Sequence, residues 1–198
     1  MNMKKNAKNA IIIFVGPSGV GKGTIEQILF KNELLKLKLS ISATTRQPRS
    51  GEVNGQHYFF ISKDEFTSKI NNNELIEYNF HFDNYYGTLF TEIDRIHNEG
   101  YVPFLEIETK GAKKILENTS ISKKYNIITV FILPPTFEEL EQRIIGRNTE
   151  TEESITKRMI KANEELAEQD IFKYKVVNDE PYRAANEITE LLMKELYE

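Results

Sequence analysis

Apolar positions along the chain fall into blocks of two alternating periods. Residues 11–15 (IIIFV) form a continuous, mostly β-branched run, which predicts a strand buried on both faces. From Lys22 the period becomes helical, with Ile25, Ile28 and Leu29 at helix spacing. The alternation then repeats. A short strand is predicted over 37–42 (LKLSIS), a strand over 57–61 (HYFFI), a helix through Phe66 and Ile70, and short strands over 75–80 and 84–86. A helix over 89–98, a buried strand over 101–108 (YVPFLEIE), a helix over 112–117 and a strand over 127–133 (IITVFIL) follow. A helix carrying Arg143 and Arg147 on one face, a charge-rich helix containing Arg158, a strand over 173–177 (KYKVV) and a helix over 182–196 complete the chain.

Punctuation supports these boundaries. Ser62-x-x-Glu65, Thr136-x-x-Glu139 and Thr149-x-x-Glu152 read as capping boxes, and Gly100 as a helix C-terminal cap. Pro134-Pro135 stops the strand before it, and 43–56 (ATTRQPRSGEVNGQ) reads as a loop. Alternating strands and helices give an α/β fold with a parallel sheet flanked by helices. The closely spaced strands between 57 and 86 predict a small, mainly antiparallel lobe inserted into it. Ligands of such sheets sit at the carboxyl ends of the strands.

The turn after the first strand is the strongest chemical signal. In GPSGVGKGT, residues 16–24, the three glycines Gly16, Gly19 and Gly21 let successive backbone N–H groups point inward at the start of a helix. Such a nest attracts phosphate oxygens, and Lys22 adds a full positive charge. The apolar strand before and the helix after give GxxxxGK the context of a phosphate-binding loop for a nucleoside triphosphate. The motif places Ser or Thr after the lysine to hold Mg²⁺; here Gly23 stands there, and Thr24 brings a hydroxyl one position late.

Composition narrows the class. The 198 residues suit one domain with a sizeable core, and a net charge of −4 argues against a general nucleic-acid binder. Cysteine is absent, which removes disulfides, thiolate metal sites and a cysteine nucleophile. The basic start followed by an apolar run is too short for a signal peptide and leads into the loop, and no stretch reaches membrane-spanning length. A cytoplasmic protein with no membrane partner is the expectation. Of seven arginines against nineteen lysines, five sit in two short regions, at 46 and 49 and at 143, 147 and 158. Arginine grips phosphate with a fixed, always-charged fork, so two further phosphate-handling stations are expected.

Together the loop and the segments SATTRQPRSGEVNGQHY, EYNFHFDNYYGT and RIIGRNTETEESITKR resemble the guanylate kinase family, nearly end to end and in order. The resemblance implies transfer of the γ-phosphoryl group of ATP to GMP, and to dGMP, giving ADP and GDP, with Mg²⁺. It divides the chain into a basic tail over 1–9 and one domain over 10–198. Within that domain the core is expected over 10–41, 89–140 and 170–198, a GMP-binding lobe over 42–88 and a helical lid over 141–169. It also makes GKGT a familiar variant of the loop. The ATP-binding residues it implies are Gly16, Pro17, Ser18, Gly19, Val20, Gly21, Lys22, Gly23 and Thr24, with Asn178 near the adenine. For GMP it implies Ser42, Arg46, Arg49, Tyr58, Glu77, Tyr86, Thr88 and Glu108. Lys22, Arg46, Arg143, Arg147 and Arg158 carry the catalytic charge, and Glu106 and Glu108 are metal candidates through water. Lys110 and Asn148 depart from the family's usual Gln and Gly.

Chemistry supports several of these roles. A monophosphate dianion needs fixed cations, which Arg46 and Arg49 supply, with the Tyr58 hydroxyl beside them. Guanine offers two donors, N1–H and the 2-amino group, next to the O6 acceptor; the Glu77 carboxylate accepts from both donors and the Thr88 hydroxyl donates to O6. Glu106 and Glu108, two apart, are expected to face one side of the strand end. The acceptor phosphate oxygen is already anionic near neutral pH, so no catalytic histidine is sought among His57, His81 and His97. Two rivals share these motifs: a nucleoside monophosphate kinase for another base, and a binding module of the same fold without catalysis. The resemblance leaves a monomer or a homodimer open.

Overall fold

A computed structural model describes residues 5–81, 83–146 and 152–197. After one 3₁₀ turn over Lys5–Asn9, strand β1 (Ala10–Val15) runs into the glycine-rich turn and helix α1 (Lys22–Leu29). Then come β2 (Leu37–Leu39), β3 (Ala43–Thr44), β4 (Phe59–Phe60), α2 (Lys63–Asn71), β5 (Leu75–His81), β6 (Asn84–Leu89) and α3 (Phe90–Asn98). The second half comprises β7 (Val102–Glu106), α4 (Thr109–Glu117), α5 (Thr119–Lys124), β8 (Asn126–Leu133), α6 (Phe137–Ile145), α7 (Glu152–Ala167), β9 (Tyr174–Val177) and α8 (Pro181–Leu196).

Five strands form one parallel sheet in the order β2-β7-β1-β8-β9, with β1 at its centre. The alternation within β1 explains why it is apolar throughout. Ile12 and Phe14 enter a core shared with α1, α6 and α8, while Ile11, Ile13 and Val15 enter a second core against α3, α4 and α5. Both sheet faces are therefore covered, as an all-parallel sheet requires. The other strands form a mixed sheet, β4-β3-β6-β5, antiparallel except for β3 with β4. It closes over its own small core, where Phe66 of α2 stacks on Tyr85 with ring centroids 5.1 Å apart.

Several boundaries differ from expectation, each because a distant partner decides it. The predicted strand over 37–42 stops at Leu39. Ser40 N–H still donates to Phe104 O, but Ile41 N–H turns to the buried Glu92 carboxylate, and the chain crosses to the other sheet. There Ala43 and Thr44, read as loop, pair with β6 and β4. The strand over 57–61 shortens to Phe59–Phe60, while β6 extends to Leu89 by pairing with β5. Strand β7 ends at Glu106, so strand alternation does not relate Glu106 to Glu108, which instead precedes α4 as its N-cap residue. Helix α5 is unforeseen; the Asn118 side chain caps it by accepting from Ser120 and Ile121 N–H. Ser62 and Thr136 cap α2 and α6 as read, each accepting from the N–H three residues on. Arg147, Asn148 and Thr149 lie outside the described residues.

Candidate active site

The carboxyl end of β1 opens into the glycine-rich loop. Gly19 (φ 88°) and Gly21 (φ 98°) adopt left-handed conformations, and Gly21 forms the N-cap of α1. A Cβ on Gly21 would lie 2.5 Å from Asn178 Nδ2, so the loop also needs glycine there for space. Lys22 reaches back along the loop and donates to Gly16 O at 2.7 Å, with Glu106 Oε1 3.8 Å away. Two groups support the loop from β9 and α6. The buried Asn178 amide donates to Val20 O at 2.7 Å. Arg143 donates to the same oxygen at 3.3 Å and to Asn178 O at 3.2 Å, and pairs with Glu139. Asn178→Ala leaves that buried carbonyl with a weaker set of donors. A loss of about 1–3 kcal/mol in chemical denaturation is expected, together with weaker ATP binding.

Facing the loop is a cleft of about 350 Å³ whose lining includes Gly16, Ser18, Lys22, Ser42, Tyr58, Glu77, Tyr86, Glu106 and Glu108. Residues of the glycine-rich loop and the candidate acceptor residues Ser42, Tyr58, Glu77 and Tyr86 thus line one space. Glu77 and Thr88 are cross-strand partners in the β5–β6 ladder, and the Thr88 hydroxyl donates to Glu77 Oε1 at 2.9 Å. Behind Glu77 stands Gly111 of α4, where a Cβ would fall 2.6 Å from Glu77 Oε2. Burial raises the Glu77 carboxyl to about 7, against the opposing pull of its Thr88 hydrogen bond and of Lys114. The Thr88 proton is thus committed to Glu77 rather than free for a base oxygen, and Thr88 is fully buried outside the cleft lining.

The acceptor arginines stand outside the lining of that cleft. Arg46 holds Glu52 through both nitrogens, at 2.8 and 2.9 Å, and packs over Tyr58 at 5.5 Å. Glu52 also accepts from Arg49 N–H, and the Arg46 hydrogen bond, with that of Arg49, holds the Glu52 carboxyl down at about 2. Arg49 itself is exposed. Two of the three histidines are bound to backbone, His57 to Val53 N–H and His97 to Ala10 O.

Helix α7 contributes residues that sequence reasoning passed over. Lys161 meets Glu108 at 2.6 Å, and Glu165 accepts a hydrogen bond from Ser18 N–H in the loop. With Arg158 they recur at i, i+3 and i+7, a shared helix face that the spacing could have revealed. Arg158 and Lys161 line a larger cavity, of about 1180 Å³, continuous in residues with the cleft through Ser18, Glu108 and Glu165. Asn79 and Lys114 were also missed. Lys114 donates to Tyr78 O at 2.6 Å and to Asn79 Oδ1 at 3.1 Å, tying β5 to α4.

Among the described residues, no three His, Cys, Asp or Glu side chains assemble to hold a metal, and no helix is long and apolar enough to cross a membrane.

The chain is similar to known proteins along almost all its length. A family model described as guanylate kinase matches residues 8–195. A guanylate kinase of Mycoplasmopsis pulmonis is 58% identical over 187 residues, 94% of this chain and 95% of that one. One of Mycoplasmopsis synoviae is 54% identical over 198 residues, covering 99% and 98%. The crystal structure of guanylate kinase from Anaplasma phagocytophilum superposes with a TM-score of 0.73 at 26% identity, covering 99% of this chain and 89% of that one.

Proposed function

The chain belongs to the guanylate kinase family and phosphorylates GMP at the expense of ATP, and we propose that it does so in the cleft between its two sheets. The observation that carries this placement is the shared lining. Lys22 and the loop backbone face Ser42, Tyr58, Glu77 and Tyr86 across one space, so donor and acceptor nucleotides can meet. The sheet of residues 42–88 would hold GMP, and residues 141–169 would form the lid.

In phosphoryl transfer the protein mainly positions the reactants and neutralises charge on the transferring oxygens. The loop N–H groups and Lys22 hold the β- and γ-phosphates, and Arg143 and Arg158, with Arg147, bring positive charge from the lid side. Arg46 and Arg49, with Tyr58, receive the acceptor phosphate. Glu52 keeps the Arg46 fork charged and rigid until that phosphate competes for it. Glu77 accepts from guanine N1–H and the 2-amino group, with Thr88 and Ser42 beside the base. Asn178 braces the loop and would stand near the adenine; its Oδ1 is buried without a hydrogen-bond partner among the described residues. Closure of the lid excludes water that would otherwise hydrolyse ATP. No general base is required.

Kinases of this family generally use Mg²⁺ with ATP. The residues present fit such a cation: Glu106 lines the cleft beside Lys22, and the buried Glu26 has an orphaned Oε1 next to it. Mg²⁺ is commonly held by one or two carboxylates plus substrate phosphates, so no all-protein cage is needed. Bound there, the cation would neutralise charge on the β- and γ-phosphate oxygens.

An acceptor panel tests the reading. ADP formation from ATP is expected with GMP and dGMP, and to fall by roughly 10⁴-fold with AMP, which leaves the Glu77 carboxylate without its two donors. Equal or better rates with AMP, UMP or CMP would overturn the guanine assignment. Absence of turnover with any of them would favour a binding module.

A further inference from the structure

Gly23 occupies the position where a phosphate loop usually carries its metal-binding hydroxyl. A Cβ there would meet nothing within 4 Å, so space does not exclude a serine. One turn after Lys22, on a helix face otherwise made of Ile25 and Leu29, stands Glu26. Its residue is 8% exposed, and Oε1 has no hydrogen-bond partner. Burying a carboxylate in this way is costly unless positive charge reaches it.

Glu26 is absent from the lining of the cleft and reaches it through Glu106. Its carboxyl meets that of Glu106, the residue that ends β7 and lines the cleft 3.8 Å from Lys22. With both carboxyls ionised, the single Lys22 ammonium leaves this spot short of one positive charge. Burial raises the Glu26 carboxyl to about 7, with the Glu106 charge adding to it and Lys22 opposing. Two carboxylates are too few to retain a divalent cation unaided, but enough for one delivered on a triphosphate.

We propose that Glu26, with Glu106, supplies the divalent-cation hold that Gly23 lacks. The inference rests on the ATP-dependent reading above. It assigns a metal-site role to a side chain on α1 that neither the loop motif nor the acceptor site contains. The missing hydroxyl and the buried acid are then two halves of one exchange, made a single helical turn apart.

The test uses Mn²⁺ as the probe, its free concentration followed by electron paramagnetic resonance with a non-hydrolysable ATP analogue. Glu26→Gln preserves shape and removes the charge. It is expected to weaken Mn²⁺ binding to the enzyme–nucleotide complex by roughly tenfold or more. The Mg²⁺ concentration for half-maximal ADP formation is expected to rise in step, while metal-free nucleotide binds as in the wild type. Adding Gly23→Ser to that variant is expected to restore much of the Mn²⁺ affinity, since the hydroxyl enters open space. Wild-type Mn²⁺ affinity in Glu26→Gln overturns the proposal, as does an equal loss of metal-free nucleotide binding, which would mark a purely structural residue. Should the glutamine variant not fold, Glu26→Ala, which also removes the charge, is judged by the same two outcomes. Failure here with normal GMP phosphorylation leaves the kinase reading intact, whereas absence of turnover in the wild type removes that reading itself.

Discussion

Replacing Lys22 by alanine is expected to abolish measurable turnover, with kcat falling by at least roughly 10²–10³-fold, while GMP binding stays near wild type. Lys22 brings its charge directly to the loop backbone, donating to Gly16 O at 2.7 Å and facing Glu106 at 3.8 Å. Its ammonium is mostly shielded from solvent, so its attraction for a developing phosphoryl charge is screened far less than in water. Apart from Glu108, which caps α4, the groups assigned to GMP belong to residues 42–88, and among the described residues none of them makes a hydrogen bond or ion pair to Lys22. Steady-state kinetics and equilibrium titration with GMP check this together. Parallel losses of kcat and GMP affinity would show that the two nucleotide stations are not separate.

A second large effect is expected at Glu77. Glu77→Gln keeps the shape but replaces one acceptor oxygen by a donor group, which confronts a guanine donor. Hydrogen bonds to charged groups contribute about 1.5–3 kcal/mol each, so losing one and reducing the other to neutral strength raises the GMP KM by roughly 10²–10³-fold. The ATP KM is expected to stay unchanged, and an unaltered GMP dependence would overturn the base-reading assignment. A pH signature accompanies it. Burial lifts the Glu77 carboxyl to about 7 in the free protein, whereas guanine's donors require it deprotonated. GMP affinity of the wild type relative to Glu77→Gln is therefore expected to rise from pH 6 to pH 8 and then level off. The titration of the GMP phosphate occurs with both proteins and cancels in that ratio. Stability runs the opposite way. Because the folded pKa lies above the unfolded value, the contribution of Glu77 is full below pH 4.5 and is lost as pH rises through 7. The glutamine variant is thus expected to melt higher than wild type at pH 8, a trade of stability for base recognition.

Much of this was legible in the sequence because it is local. The run from Ile11 to Val15, the helical spacing after Lys22 and the capping threonine and serine each record burial or backbone geometry within a few residues. The glycine loop is likewise a local object, since left-handed backbone at Gly19 and Gly21 is written into residue type. The motifs over 42–88 and the clustered arginines pointed to a chemistry for the same reason: guanine and phosphate demand particular side chains whatever surrounds them.

What the sequence determined by itself, then, was the alternating α/β order, the phosphate loop and the set of side chains suited to two nucleotides. Tertiary structure alone decided where strands exchange sheets between Leu39 and Ala43, since that turns on the Glu92 carboxylate taking the Ile41 N–H from across the fold. It alone decided that Thr88 donates to Glu77, that Glu52 holds Arg46, and that Lys161 and Glu165 of α7 reach Glu108 and the loop. It also revealed Glu26 as a buried acid beside Glu106, where spacing showed only the apolar Ile25, Ile28 and Leu29 of its helix. The physical reason is common to all of these. Period and residue type fix which face a side chain takes on its own element, whereas its partner depends on how sheets and helices stack, and burial then sets its charge.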